Sequence, residues 1–301
     1  MPDAVPSSPG YAGAAEGLSP AVVKRVISWF AEHGRDLPWR REGTTPWQVL
    51  VSEVMSQQTP VARVIEPWRA WTQRWPTPDD LAEEDSSAAV AAWGRLGYPR
   101  RALRLHAAAR AIATEHGGVV PDSYDELVAL PGVGDYTAAA VVSFAFGGRA
   151  VVLDTNVRRV IARAECGIAN CPTSTTRAER VVAEALVPEG DPAGWAVASM
   201  ELGALVCTVR NPDCSACPIS DACRWLAAGR PDNGPTRRRQ SWQGTDRQCR
   251  GVLLDVIRNA PDGVEVDVVL QAWPHPDQAR RCLDSLLADD LVHRQDRMVN
   301  L

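Results

Sequence analysis

Lysine is almost missing from this chain. Of 32 basic residues only Lys24 is a lysine, so chemistry that needs an amine nucleophile has one candidate side chain. The skew toward arginine reads as genomic base composition. Long apolar runs are missing too, and none approaches the roughly 18 residues of a membrane helix. The first 17 residues (MPDAVPSSPGYAGAAEG) lack the basic and apolar regions of a secretory signal and read as a disordered tail. A cytoplasmic location follows, in which eight cysteines are not expected to pair as disulfides. A basic balance is also absent: 37 acids against 32 bases give a formal charge of −5. That excludes only a uniformly basic nucleic-acid binder, because a phosphate responds to local charge.

What is present is ordinary for a globular protein. The 301 residues are 45% hydrophobic and 23% charged, enough for two or three domains with sizeable cores. Ser19-Pro20 starts a helix whose stripe of Val22, Val23, Val26, Ile27 and Phe30 ends at Gly34. Further helices are predicted over 46–57, 60–74, 86–95 and 99–115. Others run from a Ser123-x-x-Glu126 capping box to Leu130, over 135–146, from Thr155 or Asn156, and from Pro192 into Cys207. Residues 229–246 read as an Arg-rich linker. Beyond it, 248–259, 266–272 and 276–289 look helical and Leu291–Leu301 a hairpin, so 247–301 is predicted to be a winged-helix-like module. The fold class is mostly α.

Five features carry chemistry. Cys207, Cys214, Cys217 and Cys223 follow C-x6-C-x2-C-x5-C, which favours a 4Fe–4S cluster over zinc or disulfides because only one CxxC knuckle occurs. Cys166, Cys171, Cys249 and Cys282 lie outside the pattern and read as small core or surface thiols. Leu130-Pro131-Gly132-Val133-Gly134 is a tight turn between helices; it is either a plain connection or a phosphate-facing hairpin whose following helix offers amides. Asp135, just past it, reads as a helix N-cap. Asp154 can cap the helix after it or stabilise developing positive charge. Glu53, amid apolar neighbours, is either a general acid with a raised pKa or a solvated position. Arg95, Arg100, Arg101, Arg104 and Arg110, with no acid between them, and Arg237, Arg238 and Arg239 form two basic stretches that favour DNA.

Together these residues resemble the helix–hairpin–helix DNA glycosylase superfamily, and within it adenine DNA glycosylases of the MutY type. The likeness spans about residues 18–226 and includes Leu37-Pro38-Trp39-Arg40, SEVMSQQT, Leu96-Gly97-Tyr98, LPGVGDYTA, VLDTNVRRV, MELGALVCT and the cysteine loop. It implies a six-helix domain (46–149) beside an iron–sulfur domain (18–45 and 150–228), with double-stranded DNA across the cleft and the target base flipped out. By the resemblance Glu53 protonates adenine, and Asp154 stabilises the oxocarbenium-like sugar, with or without a covalent intermediate. Tyr136 and Asn156 support that centre. Trp39, Arg40 and Glu201 surround the flipped adenine, while Gln58 and Tyr98 wedge into the duplex facing 8-oxoguanine. Gly132 and Gly134 belong to the DNA-binding hairpin. A cytoplasmic, nucleoid-associated monomer is implied.

Two departures and one substitution bear on the reading. Ser56 stands where the family usually has Leu, and only 78 residues follow Cys223, too few for the Nudix-like domain of longer members. Tyr136 occupies the position where strand-cutting relatives carry a Schiff-base lysine, so a monofunctional glycosylase is expected. The alternatives are a mismatch thymine or uracil glycosylase of the same superfamily, or a non-catalytic iron–sulfur DNA-binding regulator.

Overall fold

The computed structural model describes residues 18–233 and 242–301; the predicted tail and Arg237, Arg238 and Arg239 of the linker lie outside the described residues. The helices are α1 (Pro20–His33), α2 (Pro46–Ser56), α3 (Val61–Arg74), α4 (Pro78–Ala82), α5 (Ser86–Trp93), α6 (Arg100–Glu115) and α7 (Tyr124–Ala129). They continue with α8 (Asp135–Phe146), α9 (Thr155–Ala164), α10 (Arg177–Ala185), α11 (Pro192–Leu205) and α12 (Arg224–Ala227). After the linker come α13 (Asp246–Arg258), β1 (Val264–Glu265), α14 (Val266–Gln271), α15 (Pro276–Ala288), β2 (His293–Gln295) and β3 (Met298–Asn300). The fold is mostly α, as the periodicity predicts. Among the described residues no helix is long and apolar enough to cross a membrane.

Local chemistry sets most of these boundaries. Thr45 and Gln48 close a capping box at α2 with Pro46 in the first turn, and Ser123 accepts from the Glu126 amide at α7. The predicted stripes miss α4 and α10, although Thr77/Asp80 and Thr176/Glu179 are capping boxes in the structure. The predicted C-terminal hairpin gains a third strand: β1 pairs with β3, placing Val264 opposite Val299, in a sheet of order β1-β3-β2. Two residues are too few to show alternation.

The chain divides into two compact units. Unit 1 takes its described residues from Met1–Thr44 and Asp135–Arg237. Its core is made where α1, α9 and α11 meet, with Val26, Val160, Ile161, Ala198 and Leu202 buried together; each large apolar side chain contributes about 2 kcal/mol. Unit 2 takes its described residues from Thr45–Gly134 and Arg238–Leu301. Trp71, Trp75 and Trp93 are fully buried there, and Trp71 meets the other two rings edge-on at 4.6 and 5.6 Å. α13 and α15 pack through Leu253, Ile257, Leu283 and Leu286, all buried.

Candidate functional site

In unit 1 the helix start at Asp154 is a built centre. The Asp154 carboxylate accepts from the amides of Asn156 and Val157 at 2.8 and 2.6 Å, capping α9. The Asn156 amide nitrogen donates to its other oxygen at 2.7 Å. Capping and a functional role are therefore compatible. Burial pushes the Asp154 carboxyl above the usual aspartate range, and the bonds from Val157 and Asn156 pull against that shift. The Asn156 side-chain oxygen in turn accepts from Arg159 at 2.8 Å, and Arg159 also donates to the carbonyls of Gly203 and Cys207, each at 2.6 Å. Gly203 permits the close approach: a Cβ there would lie 2.7 Å from the Asn156 backbone oxygen. Tyr136, on α8, packs on the small residues Ala139, Ala140, Val152 and Ala196.

The second cluster of unit 1 surrounds Glu201 on α11, which is fully buried. Arg35 donates to it from its backbone amide and twice from its guanidinium, the shortest at 2.6 Å, and Arg40 donates at 2.9 Å. Burial pushes the Glu201 carboxyl up, but the bonds from Arg35 and then Arg40 outweigh it and hold the group at about 2. Glu201 is thus a fixed anion, with Arg40 stacked 5.4 Å above the Phe30 ring. Trp39 is buried beside Arg40 in a single helical turn over Pro38–Arg40. Arg35 is absent from the sequence expectation; its only legible signal was the motif two residues downstream.

In unit 2, α2 buries nearly every position from Trp47 to Met55, and Glu53 among them is 7% exposed. The solvated alternative for Glu53 is excluded. Ser56 closes α2, and the chain then passes through Gln58, which adopts positive φ (55°), as Tyr98 does across the fold (49°). These left-handed residues are not glycines, so their surroundings must impose the conformation. Arg101 does so. It donates to the carbonyls of Val54, Met55 and Gln57 on one side, to those of Leu96 and Gly97 on the other, and to the Thr59 hydroxyl. One buried guanidinium ties the two loops, and burial lowers its pKa to about 10.

Residues 95–110 hold no acid in the sequence, but the fold brings partners to part of the stretch. Arg101 is inside the protein, while Arg95 and Arg100 meet Asp255 and Asp289 of the C-terminal helices at 2.6 and 3.3 Å. Linear sequence could not show acids supplied from about 160 residues away. Gly132 takes positive φ (76°), and a Cβ would lie 2.5 Å from the Arg104 side chain. Gly134 has open space around it, which keeps the turn surface clear. Asp135 is the first residue of α8 rather than its cap, and its carboxylate pairs with Arg180 at 2.6 Å.

The loop after α11 brings Cys207, Cys214, Cys217 and Cys223 to the walls of one pocket, lined also by Val206, Trp225 and Leu226. All four are free thiols. Among the described residues no three potential ligands converge tightly enough to hold one metal ion. Four thiols around one pocket can supply one thiolate to each iron of a cluster. Arg163 braces the loop, donating to the Cys207 sulfur at 3.4 Å and the Thr208 carbonyl at 2.7 Å, above the Trp225 ring. Cys171, Cys249 and Cys282 are buried core thiols, and burial pushes Cys166 up to about 12.

Comparisons agree with this geometry. Residues 51–184 match the model of the HhH-GPD superfamily of base excision DNA repair proteins, and 207–223 the iron–sulfur binding domain of endonuclease III. The chain is 51% identical over 275 residues to an adenine DNA glycosylase of Mycobacterium tuberculosis (strain CDC 1551 / Oshkosh), covering 89% of each. Among solved structures it resembles a thermostable thymine-DNA glycosylase at TM-score 0.62 and 28% identity, covering 69% of this chain and 96% of that one. It also resembles endonuclease III in a non-covalent DNA complex, at TM-score 0.58 and 25% identity, covering 70% of this chain and 98% of that one.

Proposed function

The chain belongs to the adenine DNA glycosylases of the HhH-GPD superfamily, and from that premise we propose that it excises adenine paired with 8-oxoguanine or guanine without cutting the strand. It is a base excision repair glycosylase that binds DNA and carries an iron–sulfur cluster at its four-cysteine loop. The observation that carries the reading is the Asp154 carboxylate, oriented by Asn156 and Val157 where burial has stripped much of its hydration.

Glu53 delivers a proton to the adenine ring. The bond from N9 to the sugar then breaks, with its electron pair leaving on the base. Asp154 stabilises the positive charge that grows on the sugar, where a pre-oriented carboxylate acts most strongly. Water adds a hydroxyl to C1′, its remaining proton returning to the Glu53 carboxylate, and an abasic site results. Tyr136 and Asn156 support the centre, and Trp39, Arg40 and Glu201 shape the base pocket with a charge that does not titrate in working conditions. Gln58 and Tyr98 enter the duplex, and Gly132 and Gly134 let the hairpin approach a phosphate. The cluster, held by the four cysteines, supplies a rigid fold for the loop. The division into 46–149 and 18–45 with 150–228 remains our functional partition of a cytoplasmic, nucleoid-associated monomer.

Residue 136 is a tyrosine, and the chain's one lysine, Lys24, lies exposed on α1, so among the described residues no lysine amine is placed to form a Schiff base. The test is single-turnover excision from duplexes containing 8-oxoguanine·A, G·A, G·T or G·U. Adenine release from the first two supports the reading. Preferential G·T cleavage would instead favour the thymine reading, and no release from any duplex the regulator.

A further inference from the structure

A cleft of about 940 Å3 lies within unit 2, between the segment 94–104 and α13, with Gln57 and Gln58 at one side. Its chemistry is lopsided: eight arginines line it against a single acid, Asp255. Asp255 meets Arg95 at 2.6 Å and Arg258 at 3.8 Å, and Asp289, outside the lining, meets Arg100 and Arg250 at 3.3 and 2.6 Å. Two acids shared among four arginines leave a strong positive excess. Arg258 and Arg101 each retain one buried guanidinium nitrogen without a partner among the described residues.

Charge alone fits any anion. The other lining groups narrow the choice. Trp242 is 54% exposed and offers an aromatic face on which a base can stack, and Tyr98 beside it is 37% exposed. The Tyr98 ring carries two guanidinium groups, Arg247 at 5.1 Å and Arg101 at 5.7 Å from its centre. Gln57, Gln58 and Gln248 add amides that can both donate and accept. Guanidinium groups for phosphates, aromatic faces for bases and amides for base edges make up the chemistry of a polynucleotide strand. The floor is firm, because Arg101 fixes both loops that carry Gln58 and Tyr98.

We propose that this cleft holds the DNA strand opposite the excised base, and that Trp242–Arg258 is therefore part of the DNA-binding surface. The proposal rests on the glycosylase reading for its choice of strand. Glu53 is buried on α2 and does not line the cleft, whereas Gln57 and Gln58, just past the end of α2, do. A duplex that delivers its adenine to Glu53 has a second strand to place, and the space beyond Gln58 and Tyr98 is charged for it. The C-terminal module thus adds a wall that no part of residues 18–226 supplies.

Two measurements on the full chain test this. Photo-crosslinkable 5-iodouracil is placed beside the orphan base in one duplex and beside the adenine in another. Crosslinks to the Trp242–Arg258 peptide from the first duplex are expected; crosslinks from the second alone, or none, overturn the proposal. Duplex affinity is then measured across salt for Trp242→Ala and Arg247→Ala, with Arg69→Ala on α3 as the control. The cleft variants are expected to bind about tenfold more weakly, with Arg247→Ala lowering the salt slope by about one. Wild-type affinity and slope in both, at unchanged helicity by circular dichroism, overturn it. Loss of helicity in either variant transfers the decision to the wild-type crosslinks. Failure of the wild type to excise adenine would defeat the glycosylase reading separately, since crosslinking requires no excision.

Discussion

Arginine does opposite work in two parts of this molecule. On α9, Arg158, Arg159 and Arg163 are buried and committed: Arg158 meets Glu179 at 2.7 Å, Arg159 spans Asn156, Gly203 and Cys207, and Arg163 holds the cysteine loop. In the unit 2 cleft the arginines outnumber the acids and leave positive charge available. Arg101 there behaves like the α9 set, and Arg250 and Arg258, held by Asp289 and Asp255, come near it. The lesson is that a run of arginines has no fixed meaning: guanidinium groups surrounded by carbonyls position loops, and those short of acids wait for phosphates.

The largest effect expected from disturbing the committed set is at the group it positions. Asp154→Asn should slow single-turnover excision about a thousandfold while leaving the melting temperature equal or higher. Asn can still cap α9, and the buried charge is gone. A lower melting temperature would show that the carboxylate is needed for folding rather than reaction. Next, Arg159→Met leaves the Gly203 and Cys207 carbonyls and the Asn156 side chain without their donor. Urea unfolding should show a loss of about 3 kcal/mol, and visible absorption should show reduced cluster content. Unchanged values for both would remove α9 from the committed class.

Glu201 gives a comparable effect that depends on pH. Its carboxyl is depressed from 4.5 to about 2, so its stabilisation is full above the unfolded value and lost as pH falls from about 4.5 toward about 2. The wild type should lose about 3 kcal/mol across that window, and Glu201→Gln should flatten that part of the stability curve. The smallest effect on stability belongs to the cleft. Arg63 is exposed there, so Arg63→Ala should change unfolding free energy by no more than about 0.5 kcal/mol while weakening duplex binding severalfold. A stability loss as large as that of Arg159→Met would erase the contrast between the two regions.

Much of the site was legible in one dimension because its signals are local. The cysteine spacing lies within one loop, and the cap at Asp154 is written in the two residues after it. Glu53 was legible as an acid amid apolar neighbours, but its burial was not, since an amphipathic helix can point an acid either way. Arg35 escaped notice because its partner Glu201 lies 166 positions away. Arg101 was grouped with the basic stretch that favours DNA, and its loop-tying role was not legible: its acceptors are mostly backbone carbonyls, which every sequence has and no sequence locates. Helix α4 escaped because five residues give too little periodicity to detect, whereas α10 was missed although both its apolar stripe and its Thr176/Glu179 cap are local signals.

By itself, then, the sequence determined the mostly helical fold, the four-cysteine spacing and the absence of a lysine at residue 136, each a matter of residue type and short spacing. Tertiary structure alone decided which arginines are consumed and which remain available. It buried Glu53, fixed Glu201 as an anion, and set α13 across from Tyr98 to enclose the cleft. The physical reason is that charge pairing and desolvation act through space over a few ångströms, between residues that the chain keeps far apart until it folds.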